Sequence, residues 1–261
     1  MNHWQDRTRI LVGEEGLQRL RKASVVVIGL GGVGAVAAEM VARAGVGRMA
    51  ILDSDVVSET NINRQVIALR STVGKAKTEI VAARLLDINP EMKLEVANEY
   101  LTTENVSAIL GHLVDVTDYN GNAGTKEDLG HSLVVIDAID TLSPKLSLIK
   151  YCVDNHIPVI SSMGSGAKYD MTRIRITDIS KSFNCPLAYI VRKKLRHMGI
   201  SKGFKVVFSE ELPDDNAIIE MTPEEQAEVS NKKSQVGTIS YLPAAFGCAC
   251  AQEALNQILA H

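Results

Sequence analysis

The stretch from residue 25 to residue 53 constrains the fold more than any other part of this 261-residue chain. Residues 25–28 are a β-branched run, too short for a helix and typical of a strand buried on both faces. Four glycines follow within six residues, and apolar residues then recur at helical spacing as far as Ala44. Residues 49–52 have the character of a second strand, which ends at Asp53. This order predicts a β-α-β unit with a glycine-rich turn after its first strand.

The glycines of this turn have separate roles in nucleotide-binding proteins. Gly29 permits a tight turn, Gly31 lets a phosphate approach the backbone, and Gly34 lets the helix pack closely on the strand. The helix N-terminus adds bare amides and a positive dipole. Asp53 stands where such units place the acceptor for a ribose hydroxyl. The unit therefore predicts nucleotide binding, and the alternative is a glycine-rich turn that serves packing alone.

Composition and charge limit the class of protein. The hydrophobic fraction of 46% suffices for one large α/β core, and the net charge of −3 gives no overall attraction to nucleic acid. No apolar run approaches the length of a bilayer span, so we expect a soluble, cytoplasmic protein without membrane partners. The four cysteines form no C-x-x-C pair and the six histidines show no ligand spacing, which argues against a structural zinc.

The remaining apolar patterns predict an α/β fold. In the first half they indicate a helix opening in the segment 73–77 and closing at 89–90, a strand at 93–96, a short helix at 105–110, a buried strand at 133–136, a helix from 143 to 155 and a strand at 158–161. The polar segment 115–130 is expected to be a mobile surface insertion. The glycines at 164 and 166 predict either a second backbone cradle or only a turn.

The pattern of apolar residues changes after Asp170. Ile174, Ile176 and Ile179 suggest an antiparallel strand, which a helix at 186–197 and a strand at 205–209 follow. The expected architecture is a Rossmann-like, mainly parallel sheet flanked by helices, with antiparallel strands added in the C-terminal half.

Four charged residues suggest the reaction. A dehydrogenase holds its pyrophosphate largely with backbone amides, whereas ATP cleavage between the α and β phosphates builds charge that cations and Mg²⁺ neutralise. The cations are Arg7, Arg64 and Lys77. Asp140, at the carboxyl end of the strand 133–136, supplies a carboxylate for the metal, and the alternative for it or for Asp137 is to cap the next helix. We expect ATP and Mg²⁺ as ligands and activation of a carboxylate as an acyl-adenylate.

Charge is segregated in the second half of the chain. Residues 179–209 contain seven lysines or arginines and no acid, and residues 210–229 contain eight acids and no base. Such a run is often only a solvated helix face, but it is also typical of a nucleic-acid contact. Arg192 and Arg196 stand four residues apart and therefore share one helix face, so we expect these two to contact RNA phosphates.

Several segments resemble the ThiF/MoeB family of ubiquitin-activating-like adenylyltransferases. They are GLGGVG, LDSD, TNINRQ, VGKAK, INP and VVIDAID, in this order. The resemblance implies that the glycines cradle ATP, that Asp53 holds the ribose and that Asp140 binds Mg²⁺. It implies an ATP-binding set of Gly29, Gly31, Gly32, Gly34, Asp53, Asn61, Arg64, Gln65, Lys77, Ala138 and Asp140. It also implies that Arg7, with Arg9 as a near neighbour, reaches the phosphates of a dimer mate and acts in catalysis with Arg64, Lys77 and Asp140.

The second half resembles the branch of this family that modifies tRNA. The matching segments are GSGAKYDMT, TDISKSFNCPLAYIVRKKLR, KVVFSEELP and GTISYLPAAFGCACAQEAL. That branch adenylates the carboxylate of a threonylcarbamoyl group on an adenosine beside the tRNA anticodon. An atom of the same group then attacks, which closes a ring with net loss of water and release of AMP and pyrophosphate. The resemblance implies that Cys185 is structural or positional.

The implied partners are the tRNA anticodon arm, a second copy of the chain and a cysteine desulfurase or sulfur-acceptor system. We expect one adenylating domain over residues 1–261, with a nucleotide-binding half (1–170) and a substrate and dimerisation half (171–261). The dimer is expected to use the C-terminal helix around 246–259, although its apolar face could equally be core of the monomer. The alternatives are an adenylyltransferase for a ubiquitin-like sulfur carrier, an NAD-binding oxidoreductase and a non-catalytic nucleotide sensor.

Overall fold

A computed structural model describes residues 3–118, 132–222 and 234–260. Its strands are β1 (Ser24–Ile28), β2 (Arg48–Leu52), β3 (Lys93–Ala97), β4 (Leu133–Asp137), β5 (Val159–Ser162), β6 (Ile174–Asp178), β7 (Lys205–Ser209), β8 (Ile218–Glu220) and β9 (Ser234–Val236). Its helices are α1 (Asp6–Lys22), α2 (Gly34–Ala44), α3 (Lys77–Ile88), α4 (Val106–Asp118), α5 (Leu142–Asp154), α6 (Pro186–His197) and α7 (Tyr241–Leu259). The first seven strands form one sheet in the order β3-β2-β1-β4-β5-β7-β6, and β8 and β9 pair separately.

The sheet is buried between two layers of helices. Successive residues of β1 face opposite sides, so Val25 and Val27 contribute to the core under α2 and α7 while Val26 and Ile28 contribute to the core under α4, α5 and α6. All five residues of β1 are buried, as expected for a central parallel strand covered on both faces. β1 pairs in parallel with β2 and with β4. The predicted β-α-β unit is therefore confirmed.

The C-terminal half extends the same sheet. β7 pairs in parallel with β5, and β6 pairs antiparallel with β7 at the edge. The small ribbon of β8 and β9 is also antiparallel. The predicted architecture is confirmed: a mainly parallel Rossmann-like sheet flanked by helices, with antiparallel strands contributed by the second half.

The predicted end of one helix in the first half was wrong. The helix expected at residues 105–110 continues as α4 to Asp118. Residues 115–118 therefore belong to a helix and not to the surface insertion expected at 115–130; the greater part of that insertion lies outside the described residues.

The C-terminal helix is a core element. α7 packs against α2, and Phe246, Ala254 and Ile258 on its apolar face are buried within the chain. Of the two alternatives for this face, the structure favours monomer core. None of the helices in the three described ranges combines the length and apolar character needed to cross a bilayer.

Candidate active site

The candidate site lies where the order of the parallel strands reverses. The chain crosses from β1 to β2 on one side and reaches β4 on the other, which leaves a crevice at the strand carboxyl ends. The turn after β1 and the loop after β4 meet in this crevice: the amide of Ala138 donates to the carbonyl oxygen of Ile28 at 2.8 Å. Gly29 has a φ of +87°, and a Cβ there would lie 2.8 Å from the carbonyl oxygen of Ala138. Only glycine fits at this position.

The glycines of the turn differ in what surrounds them. A Cβ at Gly34 would lie 1.7 Å from the carbonyl oxygen of Gly29, because the start of α2 packs directly on the turn. A Cβ at Gly31 would meet no atom closer than the side-chain nitrogen of Gln65, at 3.7 Å. The backbone at Gly31 is therefore the part of the turn that a phosphate group can approach.

Asp53 organises the turn from the end of β2. One carboxylate oxygen accepts a hydrogen bond from the amide of Leu30 at 2.6 Å, and the other accepts from the amide of Asp55 at 2.8 Å. Burial raises the pKa of Asp53, and the nearby charge of Lys77 and the two amides offset only part of this effect. The carboxylate thus lies at the glycine turn, as predicted, and it also fixes the backbone there.

Lys77 is the first residue of α3, and its ammonium group lies against the same turn. Its Nζ is 2.6 Å from a carboxylate oxygen of Asp55 and 3.9 Å from one of Asp53. The side chain of Lys77 is only 6% exposed, whereas that of Asp55 is 65% exposed. The ammonium group of Lys77 is therefore fixed at the site. The exposed carboxylate of Asp55 can turn toward solvent if an anion binds this ammonium group.

The polar segment 60–65 packs on the glycine turn. A Cβ at Gly32 would lie 3.1 Å from the carbonyl oxygen of Arg64. The guanidinium of Arg64 donates to the carbonyl oxygen of Thr60 and to the side chain of Asn63, each at 2.9 Å. Asn61 accepts a hydrogen bond from the amide three residues earlier, at 3.1 Å. These contacts hold the predicted residues Asn61 and Arg64 in one compact segment beside the turn.

Gln65 supplies a further polar group to the same place. Its side chain is buried, and its Oε1 atom has no hydrogen-bond partner within the described residues. A buried carbonyl oxygen without a donor costs about 1–3 kcal/mol, so a ligand that donates to it would be stabilised. Adenosine carries amino and hydroxyl donors. The opening at Gly31 and the unpaired atom of Gln65 therefore fit a nucleotide.

The acid that ends β4, Asp137, and the acid three residues later, Asp140, have different environments. Asp137 is fully buried and forms an ion pair with Lys145 at 2.6 Å, while Asp140 is exposed. Thr141 occupies the N-cap position of α5 and makes no side-chain capping bond. Asp137 is thus an internal partner of Lys145, and Asp140 is the acid that a bound ligand can reach.

Lys145 belongs to the surroundings of the site and was not predicted from the sequence. The ammonium group of this fully buried lysine also donates to the hydroxyl of Ser161 at 3.1 Å and to the carbonyl oxygen of Ser162 at 3.0 Å. The hydroxyl of Ser161 in turn donates to Asp137 at 2.5 Å. A signal was present, since Lys145 shares the spacing of the buried residues Leu148 and Cys152 on α5.

Arg7 is exposed on α1, and no hydrogen bond or ion pair joins it to the glycine turn in the described parts of the chain. Arg9 pairs with Asp6 at 3.2 Å. The structure therefore does not bring Arg7 to the site of its own chain, and it leaves Arg7 more available than Arg9 for contact with another molecule.

The cysteines behave as small apolar residues. Cys152, Cys185 and Cys250 are buried, and Cys248 is exposed. Burial raises the pKa of Cys250 to about 12. No cluster of three or more histidine, cysteine or acidic side chains suitable for a metal occurs within residues 3–118, 132–222 and 234–260.

The two arginines of α6 that were predicted to contact RNA have different environments. Arg192 donates to the carbonyl oxygen and the hydroxyl of Ser182, whereas Arg196 is exposed. Arg192 therefore fastens α6 to the loop before it and is a poor candidate for the RNA contact predicted for the pair.

The second glycine segment was predicted to form either a backbone cradle or only a turn. A Cβ at Gly166 would lie 2.6 Å from Val236 of β9, so this glycine permits close packing and supports the simple turn.

A glycine turn at the reversal of a parallel sheet, with an acid directly after the next strand and a buried lysine beside it, defines a nucleotide-binding protein of the Rossmann type. The model of the ThiF family matches residues 5–261, and the chain therefore belongs to that family.

Relatives cover most of the chain. A tRNA threonylcarbamoyladenosine dehydratase of Bacillus subtilis is 40% identical over 236 residues, which is 90% of this chain and 84% of that protein. The dehydratase of Escherichia coli is 35% identical over 272 residues, covering 98% and 95%. The crystal structure of the E. coli enzyme, TcdA, in complex with ATP superposes with a TM-score of 0.79 at 34% identity, covering all of this chain and 96% of that one.

Proposed function

We propose that this protein is an ATP-dependent tRNA threonylcarbamoyladenosine dehydratase. It adenylates the carboxylate of N6-threonylcarbamoyladenosine in tRNA and then closes the modified group into a ring. The observation that carries the proposal is the similarity to dehydratases over nearly the whole chain, including the second half. The glycine turn provides the ATP site that the reaction needs.

Different residues of the chain are assigned to different parts of ATP. Gly31 offers the open backbone for the phosphates, and Asp53 accepts from the ribose. Lys77 and Arg64 balance the charge that builds on the departing pyrophosphate when the substrate carboxylate attacks the α phosphorus. Lys77 is positioned by α3 and is buried, so its ammonium group stays at the turn when the exposed carboxylate of Asp55 yields to the phosphates.

Asp140 is the proposed ligand for Mg²⁺. Magnesium in nucleotide sites is held by one or two carboxylates together with substrate phosphates and water, not by a cage of protein ligands. An exposed carboxylate at the end of β4, without a larger cluster among the described residues, fits that donor set. When bound, the ion supplies positive charge at the phosphates.

Ring closure needs no nucleophile from the protein. The attacking atom belongs to the same substituent as the adenylated carbonyl, so proximity supplies the advantage. Attack forms the ring bond, breaks the bond to the adenylate and releases AMP. Cys185 is only 4% exposed, which supports a structural role for this cysteine.

The second candidate function is adenylation of a ubiquitin-like sulfur carrier. The family supports both activities. The lack of a paired C-x-x-C motif in this chain and the match to dehydratases over both halves favour the tRNA substrate.

We propose further that the enzyme works as a cytoplasmic homodimer in which Arg7 reaches the partner's ATP, and that a sulfur-acceptor system is an accessory partner. Two exposed apolar residues near Arg7 on α1 support the dimer: Ile10 and Leu11 are 74% and 86% exposed. Apolar surface of this kind is typical of protein contacts.

Binding and turnover test the nucleotide assignment. Isothermal titration should show binding of ATP with Mg²⁺ and none of NAD, and incubation with tRNA that carries the open modification should release AMP and pyrophosphate. Lys77→Ala should lower turnover at least about tenfold, since a charged hydrogen bond contributes roughly 1.5–3 kcal/mol. Tight NAD binding without ATP binding would refute the adenylation mechanism, and AMP formation with only a carrier protein would favour the second candidate.

A further inference from the structure

A cavity of about 340 Å³ lies between α5, α6 and the loop before α4. Its lining contains two basic groups, Lys194 and His197, and no acidic side chain. Neither basic group makes a hydrogen bond or an ion pair within the described ranges, in contrast to Arg192. A cavity with this charge favours an anionic ligand.

Two of the segments that line the cavity begin at the carboxyl ends of strands β3 and β4, beside the ATP site. Ser143 contributes from the first turn of α5, three residues after Asp140. Thr103 contributes from the loop that follows β3, and the last residue of β3, Ala97, accepts a hydrogen bond from the amide of Asp53 at 3.3 Å. Both walls are thus continuous with the loops that carry the proposed metal and ribose ligands.

The lining also contains the features of a base-binding site. Leu146 and Met198 provide apolar surface, and the hydroxyls of Ser143, Ser147 and Thr103 provide hydrogen-bonding groups. The volume is far larger than an isolated phosphate requires. Single-stranded RNA is recognised through bases that leave the stack and lie against apolar or aromatic groups, including histidine.

We propose that this cavity binds one nucleotide of the substrate tRNA, next to the adenosine that is modified. The phosphate lies on Lys194 and His197, and the base lies against Met198. The inference rests on the proposed function, because it places a single-stranded loop of RNA at the ATP site. It assigns the RNA contact to Lys194 and His197 in place of the pair Arg192 and Arg196.

Fluorescence anisotropy with full-length tRNA and the full-length protein tests the proposal. The double variant Lys194→Ala with His197→Ala should raise the tRNA Kd at least about tenfold and reduce the slope of log Kd against log salt by about 1. Its Kd for ATP should stay within twofold of wild type. The matched control is Lys193→Ala, which removes an exposed charge from the same helix outside the cavity and should change the tRNA Kd less than about twofold.

A second variant separates the base from the phosphate. Met198→Ala removes apolar surface without changing charge, so it should weaken tRNA binding about threefold or more while the salt slope stays unchanged. Unaltered tRNA binding in the double variant or in Met198→Ala would overturn the proposal. An equal loss with Lys193→Ala, or a parallel loss of ATP affinity, would also overturn it.

The same preparations distinguish this proposal from the function on which it rests. If wild-type protein releases AMP in the presence of tRNA but the double variant binds tRNA normally, only the nucleotide cavity is refuted. If wild-type protein releases no AMP with tRNA, the proposed function is refuted.

Discussion

Lys145 illustrates how one buried charge is stabilised by its surroundings. Its three oxygen partners come from Asp137, Ser161 and Ser162, so all three donors of the ammonium group are used. Asp137 also accepts from the amide of Ile139 at 3.1 Å, which connects the pair to the loop that carries Asp140. The pair therefore supports the shape of the site from inside the core.

We expect Lys145→Met to lower the free energy of unfolding by about 3–5 kcal/mol, because it leaves the carboxylate of Asp137 buried without its partner. Adding Asp137→Asn should restore much of the loss, since the double variant buries no charge. Urea unfolding of the two variants measures both effects. Equal destabilisation by the single and double changes would contradict the role assigned to the ion pair.

Asp53 makes stability depend on pH. Because burial raises the pKa of Asp53 in the folded state, the folded protein binds more protons than the unfolded chain between the ordinary pKa of about 3.9 and the raised value. The contribution of Asp53 to the free energy of unfolding is therefore present at low pH and is lost as pH rises through that window. Without ATP, Asp53→Asn should remove this decline, as measured by urea unfolding from pH 4 to pH 7. A steeper decline in the variant would contradict the direction of the shift.

At the scale of elements, we expect separate roles for two glycines of the turn after β1: Gly34 for helix packing, and Gly31 for ATP binding. Gly34→Ala places a Cβ against the carbonyl oxygen of Gly29 and should prevent the packing of α2, with loss of more than about 3 kcal/mol. Gly31→Ala meets no close atom, so it should leave the free energy of unfolding nearly unchanged and weaken ATP binding at least about tenfold. Thermal unfolding and ATP titration of both variants check this contrast. Normal ATP affinity in a folded Gly31→Ala variant would show that the phosphates lie elsewhere.

The elements that the sequence predicted well are those whose pattern is local. β1, α2 and β2 follow from a short run of apolar residues, from glycines and from a sharp end at Asp53. α4 was predicted to end at Leu110, where Gly111 and His112 follow in the sequence, but the helix continues through them to Asp118. Helical spacing places Lys145 on the buried face of α5, but its partners could not be assigned from local pattern, since Asp137 and Ser161 come from two strands of the sheet.

Only part of the candidate site could be predicted from the sequence. The structure brings Gly31, Asp53, Lys77 and Gln65 together, as the order of motifs suggested. It does not show where Arg7 acts, because that prediction requires a second chain. The apolar face of α7 was visible in the sequence, but a pattern alone does not tell whether such a face packs within the chain or against a partner.

At the scale of the whole molecule, the dimer remains a prediction that α1 can test. Sedimentation velocity at micromolar concentration should show a dimer, and Ile10→Glu with Leu11→Glu should shift it toward monomer, since two charges would enter an apolar contact. If Arg7 acts across that contact, Arg7→Ala should lower turnover about tenfold or more while the dimer persists. A fully active monomer would contradict this arrangement.

The proposed reaction converts the open modification of tRNA to the cyclic form at the expense of ATP. The most direct measurement is mass spectrometry of nucleosides from tRNA that carries the open form, after incubation with the purified protein, ATP and Mg²⁺. We predict loss of one water from the modified adenosine, one AMP released for each ring formed, and no reaction without ATP. An unchanged nucleoside together with intact ATP would contradict the claim.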